Sequence, residues 1–227
     1  MILAVTAGKG GVGKSTVAYN LAAQLDAVAV DADLGMADLP AGRGPDLHDV
    51  LAGRAAPIEA VRDGGPVSLL PCGRSLAGAR AADPEALVGA VETVERHYDR
   101  VVIDSPAGLA SDAGLPLLAA DACVLVVRPT RTAIADGLRT RELARAIGTP
   151  LARVALNRVT PDRIGQTTAR SERIASALGA PVTRIPDAEV VARAQRAGQP
   201  VRSIAPGAAA VDQFDRLATA VAHAVSR

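Results

Sequence analysis

The 227-residue chain reads as an α/β protein in three layers: a mostly parallel, twisted sheet with helices on both faces. Three observations predict it. Short apolar runs alternate with amphipathic ones along nearly the whole chain. A glycine-rich stretch, Gly8-Lys9-Gly10-Gly11-Val12-Gly13-Lys14-Ser15-Thr16, separates the first apolar run from the first helical one. Carboxylates close two of the apolar runs, Asp31-Ala32-Asp33 and Asp104, at the strand ends where open parallel sheets bind ligands. A chain of this length buries a sizeable core and is expected to form one domain over residues 1–227.

The first strand is predicted at 1–6 and the first helix at 15–25. Strand, glycine-rich loop and helix in that order are what a phosphate-binding loop requires. Glycines let the loop curl until several backbone N–H groups face one anion, and the positive end of the helix adds to that field. Gly10, Gly11, Val12, Gly13 and Thr16 belong to this cradle. Lys14 lies along the β- and γ-phosphates of a nucleotide, and Ser15 offers its hydroxyl to Mg²⁺. The predicted fold is therefore the P-loop NTPase fold.

A strand at 27–31 leads into Asp31 and Asp33, which are two residues apart and point the same way, toward that Mg²⁺. Residues 40–66 are rich in Gly, Pro and Arg, with a short helical patch at 47–53. His48 in that patch reads as a surface residue, because no other His, Cys or paired carboxylate is spaced to build a metal cage with it. A strand at 67–70 and a loop at 72–83 follow. A helix at 84–97 precedes the strand 100–104, where Val101-Val102-Ile103-Asp104 places a carboxylate to hold an Mg²⁺-bound water.

The strand at 122–127 contains Cys123 as a buried thiol. The helix at 131–147 carries Arg131, Arg139, Arg141 and Arg145 on what reads as a solvated face. A strand at 151–156 leads into Asn157, and a helix at 164–178 into the strand 181–185 with Pro186 and Asp187 after it. From 209 to 225, Val211, Phe214, Leu217, Val221 and Val225 recur at helical spacing, which makes a helix docked on the core.

Composition narrows the function. Hydrophobic residues make up 49% of the chain, yet it has one Phe, two Tyr and no Trp, so aromatic platforms for stacking single-stranded bases are missing. Net charge is +1, and no bulk field recommends a polyanionic partner. Residues 128–227 carry 16 basic and 8 acidic side chains against 9 and 16 in 1–127, an asymmetry read as solvated helix faces. Lys9 and Lys14 are the only lysines, and both stand where phosphate chemistry can use them. The two cysteines form no Cys-x-x-Cys pair. With no secretory leader pattern and no apolar run near the ~20 residues of a membrane span, a soluble cytoplasmic protein is expected.

One residue sharpens the assignment. Lys9 is a second lysine inside the loop, and the run 9–16, Lys-Gly-Gly-Val-Gly-Lys-Ser-Thr, resembles the deviant loop of the MinD/ParA family of ATPases. Residues 31–38 resemble that family's switch I. Asp104-Ser105-Pro106-Ala107-Gly108 is closer to the MinD branch than to ParA proteins, which usually carry Asp-x-Pro-Pro-Gly. The resemblance implies ATP or ADP with Mg²⁺ as cofactors, a homodimer when ATP is bound, and slow hydrolysis speeded by a protein activator or cargo adaptor. It implies that Lys9 reaches the partner subunit's nucleotide, Asp33 orients the attacking water, and Asp31 and Asp104 support Mg²⁺ through water. Gly108 would donate its N–H to the γ-phosphate, with 105–112 as a second switch. Asn157 would contact the adenine edge, and the backbone near Pro186 and Asp187 would form the other wall of the base pocket.

The function so implied is positioning of a division site or of a polar or motility assembly, in the cytoplasm or peripheral to a membrane. Many MinD proteins end in a basic amphipathic helix that binds membrane. Here only Arg227 follows the last helix, and its polar face carries Asp212 and Asp215 beside Arg216. Rival readings are a DNA-partition ATPase of the ParA kind, a metabolic ligase of the dethiobiotin-synthetase kind and an iron–sulfur carrier of the same superfamily, for which Cys72 and Cys123 lack the pattern. The first lacks an added DNA-binding domain. The second has no need of Lys9.

Overall fold

The computed structural model describes residues 1–34, 39–40, 43–108, 114–160 and 164–226, with the side chains of 164–167 excepted. Among the described residues seven strands form one sheet: β1 (Ile2–Thr6), β2 (Val28–Asp31), β3 (Leu69–Leu70), β4 (Val101–Asp104), β5 (Ala122–Val127), β6 (Leu151–Val159) and β7 (Val182–Pro186). Their order is β3-β2-β4-β1-β5-β6-β7, and each pairing between them is parallel. The predicted α/β architecture and all seven predicted strands are present.

Burial on both faces explains why the inner strands β1, β2, β4 and β5 read as continuous apolar runs rather than as alternating ones. Leu3 and Val5 of β1, with Val124 and Val126 of β5, face a core shared with α1 (Lys14–Leu25) and α11 (Ala209–Val225). Ile2 of β1, with Val101 and Ile103 of β4, faces the opposite core against α2 (Leu47–Leu51) and α5 (Leu87–Tyr98). Leu125 and Val127 on that side pack with α7 (Arg131–Ile147) and α8 (Ile164–Leu178). Phe214 and Leu217 of α11 are fully buried, as their spacing predicts.

Four expectations change. Residues 72–83 are not all loop, since α4 (Leu76–Ala81) forms there, started by the Ser75 hydroxyl accepting from the Gly78 N–H. The stretch 40–66 holds a one-turn α3 (Pro57–Ala60) with proline at its first position. Two short helices, α9 (Glu189–Arg196) and α10 (Val201–Ile204), and the six-residue α6 (Gly114–Ala119) had no sequence signal. In α9 Ala194 is fully buried and Val190 and Val191 pack partly buried on the core, but eight residues are too few for that spacing to stand out in the sequence. His48 is not a surface residue: it is 2% exposed, because the Asp46–Asp49 capping box sets α2 with that side chain inward.

No described helix is long and apolar enough to cross a membrane.

Candidate functional site

The site assembles at the C-terminal ends of β1, β2 and β4. Pairing of β4 with both β1 and β2 puts Asp104 in register with Val5 on one side and Asp31 on the other. Two carboxylates 73 positions apart in the chain thus flank the loop that follows β1. Both are 0% exposed.

Within the loop, Gly13 caps α1 in the left-handed region, at φ 94°. A Cβ there would lie 2.2 Å from Asn157 Nδ2, so only glycine fits. Lys14 turns inward: its Nζ donates to Asp104 Oδ1 at 2.6 Å, with 6% of the residue exposed. The same Nζ lies 3.5 Å from Ser15 Oγ. Lys9 takes another course, and its Nζ donates to Thr132 Oγ1 at 3.4 Å, in the first turn of α7. Thr16 Oγ1 donates to Gln195 Oε1 at 3.1 Å.

Asp31 Oδ1 accepts from the Asp33 N–H at 3.3 Å and Oδ2 from the Leu39 N–H at 3.1 Å. Burial, with the Asp104 charge adding to it, pushes the Asp31 carboxyl up from 3.8 to about 7. Asp33 is half-buried at the end of that strand. The remaining switch I residues, Gly35 to Asp38, and 109–112 of the second switch lie outside the described residues, as does Arg227.

Gly108, at φ 90°, donates its N–H to the Ala7 carbonyl at 3.1 Å. Asn157 is 4% exposed; its Nδ2 donates to the Val12 carbonyl at 2.8 Å and its Oδ1 accepts from the Arg158 N–H at 2.9 Å. In this structure the Asn157 amide therefore braces the phosphate loop. Residues 157–159 and 186–187 come side by side, since Val159 pairs with Pro186 and the Asp187 N–H donates to the Val159 carbonyl at 3.0 Å.

Sequence reasoning did not pick out Thr132, Gln195 or Leu39, which stand outside any motif and reach the loop only through folding. Gln195 and Leu39, with Pro40 and Gly198, line a small cleft beside Ser15 and Thr16.

The donor set suits Mg²⁺. A serine hydroxyl and two carboxylates are hard oxygen ligands, and such an ion keeps much of its shell as water and phosphate oxygens. Among the described residues no group of three or more His, Cys, Asp or Glu could hold a metal by itself. Ser15 would ligate the ion directly and Asp31 and Asp104 through water.

The Asp31 shift has a consequence for the protein without nucleotide or Mg²⁺. Between pH 3.8 and about 7 the folded carboxyl keeps a proton that the unfolded one releases. Its stabilising contribution is thus full below pH 3.8 and lost as pH rises to about 7. At ~1.4 kcal/mol per pH unit this amounts to a few kcal/mol. Urea midpoints at pH 4.5 and 7.5 in EDTA should fall more steeply for wild type than for Asp31→Asn; parallel slopes would show that Asp31 ionises normally.

Comparison with known proteins agrees with this geometry. Residues 3–201 match the model of the CobQ/CobB/MinD/ParA nucleotide-binding domain. An ATP-binding protein of Methanocaldococcus jannaschii is 38% identical over 173 residues, which span 71% of this chain and 66% of that protein. The cell division ATPase MinD of Pyrococcus furiosus superposes with a TM-score of 0.87 at 27% identity, covering 98% of both chains. The septum site-determining protein MinD of Pyrococcus horikoshii, in complex with Mg-ADP, superposes with a TM-score of 0.85 at 28% identity over 96% of this chain and 93% of its own. A phosphate loop seated on β1, carboxylates at the ends of β2 and β4, and a family match over 3–201 lead to one conclusion: the chain belongs to the CobQ/CobB/MinD/ParA nucleotide-binding domain family.

Proposed function

We propose that the protein is an ATPase of the MinD kind, a nucleotide-timed switch that pairs with a second copy when ATP is bound and parts after hydrolysis. The observation that carries this is the divergence of the two loop lysines. Lys14 turns in to Asp104, while Lys9 leaves the loop for Thr132. An ordinary phosphate loop needs only the first. A lysine in the position of Lys9 is suited to neutralise charge on a nucleotide held by another subunit.

Ser15 directly, and Asp31 and Asp104 through water, would hold an Mg²⁺ ion, whose charge would offset that developing on the phosphates. The loop N–H groups from Gly10 to Thr16 orient the phosphates, Lys14 neutralises them, and Asp33 orients the water for in-line attack. The adenine lies between the backbone at 157–159 and the Pro186–Asp187 wall, with Asn157 holding the loop to that pocket. Loss of the γ-phosphate would be reported by Gly108, whose N–H returns to Ala7.

The output is positioning of a cellular structure through a protein adaptor.

Lys9→Ala separates this reading from a single-subunit site. Phosphate release should fall roughly a hundredfold or more, as on removal of a trans-acting cation, while ATP affinity stays within a few-fold. Unchanged turnover in Lys9→Ala would refute the two-subunit site. ADP release that depends on a small carboxylate would instead make the protein a ligase.

A further inference from the structure

Behind the segment that carries Asp33 lies a buried imidazole–thiol pair. His48 on α2 and Cys72, two residues past β3, are each 2% exposed. His48 Nε2 lies 3.1 Å from the Leu34 carbonyl oxygen and 3.5 Å from Cys72 Sγ. Cys72 Sγ in turn lies 3.4 Å from the Asp33 carbonyl oxygen. A carbonyl only accepts, so Nε2 carries the ring hydrogen and donates it to Leu34. Burial, with the charges of Asp31, Asp46 and Asp33 adding to it, pushes the Cys72 thiol up to about 12, so it stays protonated and donates to Asp33. From the other side the Asp33 N–H donates to Asp31 Oδ1 at 3.3 Å and the Leu34 N–H to the Ala32 carbonyl at 3.0 Å. Both faces of this dipeptide are therefore held.

The surroundings are shaped to the ring. A Cβ on Gly73 would stand 2.1 Å from His48 Nδ1 and 2.8 Å from Asp46 Oδ1. One on Gly78 would stand 3.0 Å from Nδ1 and 3.2 Å from His48 Cβ. Neither glycine has a positive φ, so it is contact and not a turn that excludes a side chain: the imidazole first at Gly73, and at Gly78 the Ser75 hydroxyl at 2.8 Å ahead of the imidazole. The arrangement also leaves Nδ1 buried with no hydrogen-bond partner among the described residues. Packing alone would be served better by leucine, which buries no bare polar atom. What leucine could not supply is the Nε2–H.

We propose that His48 and Cys72 are positioning residues for Asp33: by gripping the Asp33 and Leu34 carbonyls they set where the Asp33 carboxylate stands over the phosphate loop. This rests on the reading of Asp33 as the residue that orients the attacking water. A misplacement near 1 Å of an orienting group costs on the order of a hundredfold in rate, while phosphate binding by the loop backbone is untouched.

The test measures phosphate release and ATP affinity for His48→Leu, His48→Gln, Cys72→Ala and Cys72→Ser. Amide hydrogen exchange at Asp33 and Leu34 is followed in the same proteins without nucleotide. His48→Leu should lower kcat by roughly 10- to 100-fold with ATP affinity within about twofold, and exchange should quicken about tenfold. His48→Gln keeps an N–H within reach of Leu34 and should restore most of the rate; Cys72→Ser should likewise exceed Cys72→Ala. A wild-type kcat in His48→Leu, a parallel fall of kcat and affinity, or no rescue by glutamine would each overturn the proposal. Should His48→Leu fail to fold, the cysteine pair decides by the same criteria. If the wild-type protein releases no phosphate, the hydrolytic role of Asp33 falls while exchange still judges the brace: unaltered exchange overturns it, and faster exchange upholds it.

Discussion

Lys14→Ala is expected to abolish nucleotide binding, with ATP affinity by titration calorimetry at least about a hundredfold below wild type. The ammonium sits 2.6 Å from Asp104, with Lys14 6% and Asp104 0% exposed. Its removal takes the lysine charge from between the in-register carboxylates of Asp31 and Asp104 and an incoming phosphate anion. A pair of unit charges 4 Å apart is worth about 4 kcal/mol at the effective dielectric of a protein site. A hundredfold is about 2.8 kcal/mol, so one lost attraction suffices. A cooperative thermal melt should show the variant folded. ATP affinity within tenfold of wild type would mean that the loop's N–H groups, and not Lys14, hold the phosphates.

Asp33→Ala is expected to bind ATP normally, to hydrolyse it at least about a hundredfold more slowly, and to accumulate as an ATP-bound dimer. The side chain is half-buried and does not belong to the phosphate cradle, so its loss spares binding. If hydrolysis is what parts the subunits, blocking it shifts the population to the paired state. Sedimentation in saturating ATP and in ADP decides: a monomer in both would end the two-subunit model. Adding anionic liposomes to the same samples tests the surface. Pelleting with ATP alone would make the membrane the docking surface in place of a protein adaptor. Absence of pelleting directs the search to protein partners of the trapped dimer.

The parts of the fold and site visible in the sequence are those with short-range signatures. The inner strands β1, β2, β4 and β5 are marked by apolar runs because both faces of the sheet are buried there, while the edge strand β7 exposes Arg184 and reads as a mixed pattern. The phosphate loop is marked by spacing within nine residues, and α11 by an apolar stripe that ends in five buried or partly buried contacts. Short helices escaped, since α9 buries one residue fully and α4 has a single buried glycine. His48 was misplaced for a related reason. A five-residue helix shows no period from which its inward face could be read, and only the capping box and the β3 edge turn it toward Cys72.

By itself the sequence determined the layered architecture and the seating of the glycine-rich loop after β1 and of Asp31, Asp33 and Asp104 at or just past strand ends. Strand order decided the rest. The placement of β4 between β1 and β2 is what sets Asp31 against Asp104 and shifts the Asp31 carboxyl. The neighbouring course of β6 is what brings Asn157 to Val12, 145 positions away. Folding back of α9 brings Gln195 to Thr16 across 179 positions. Periodicity reports only which face of an element is buried. Which distant element covers that face depends on closing long loops in one particular order, and local pattern carries no record of it.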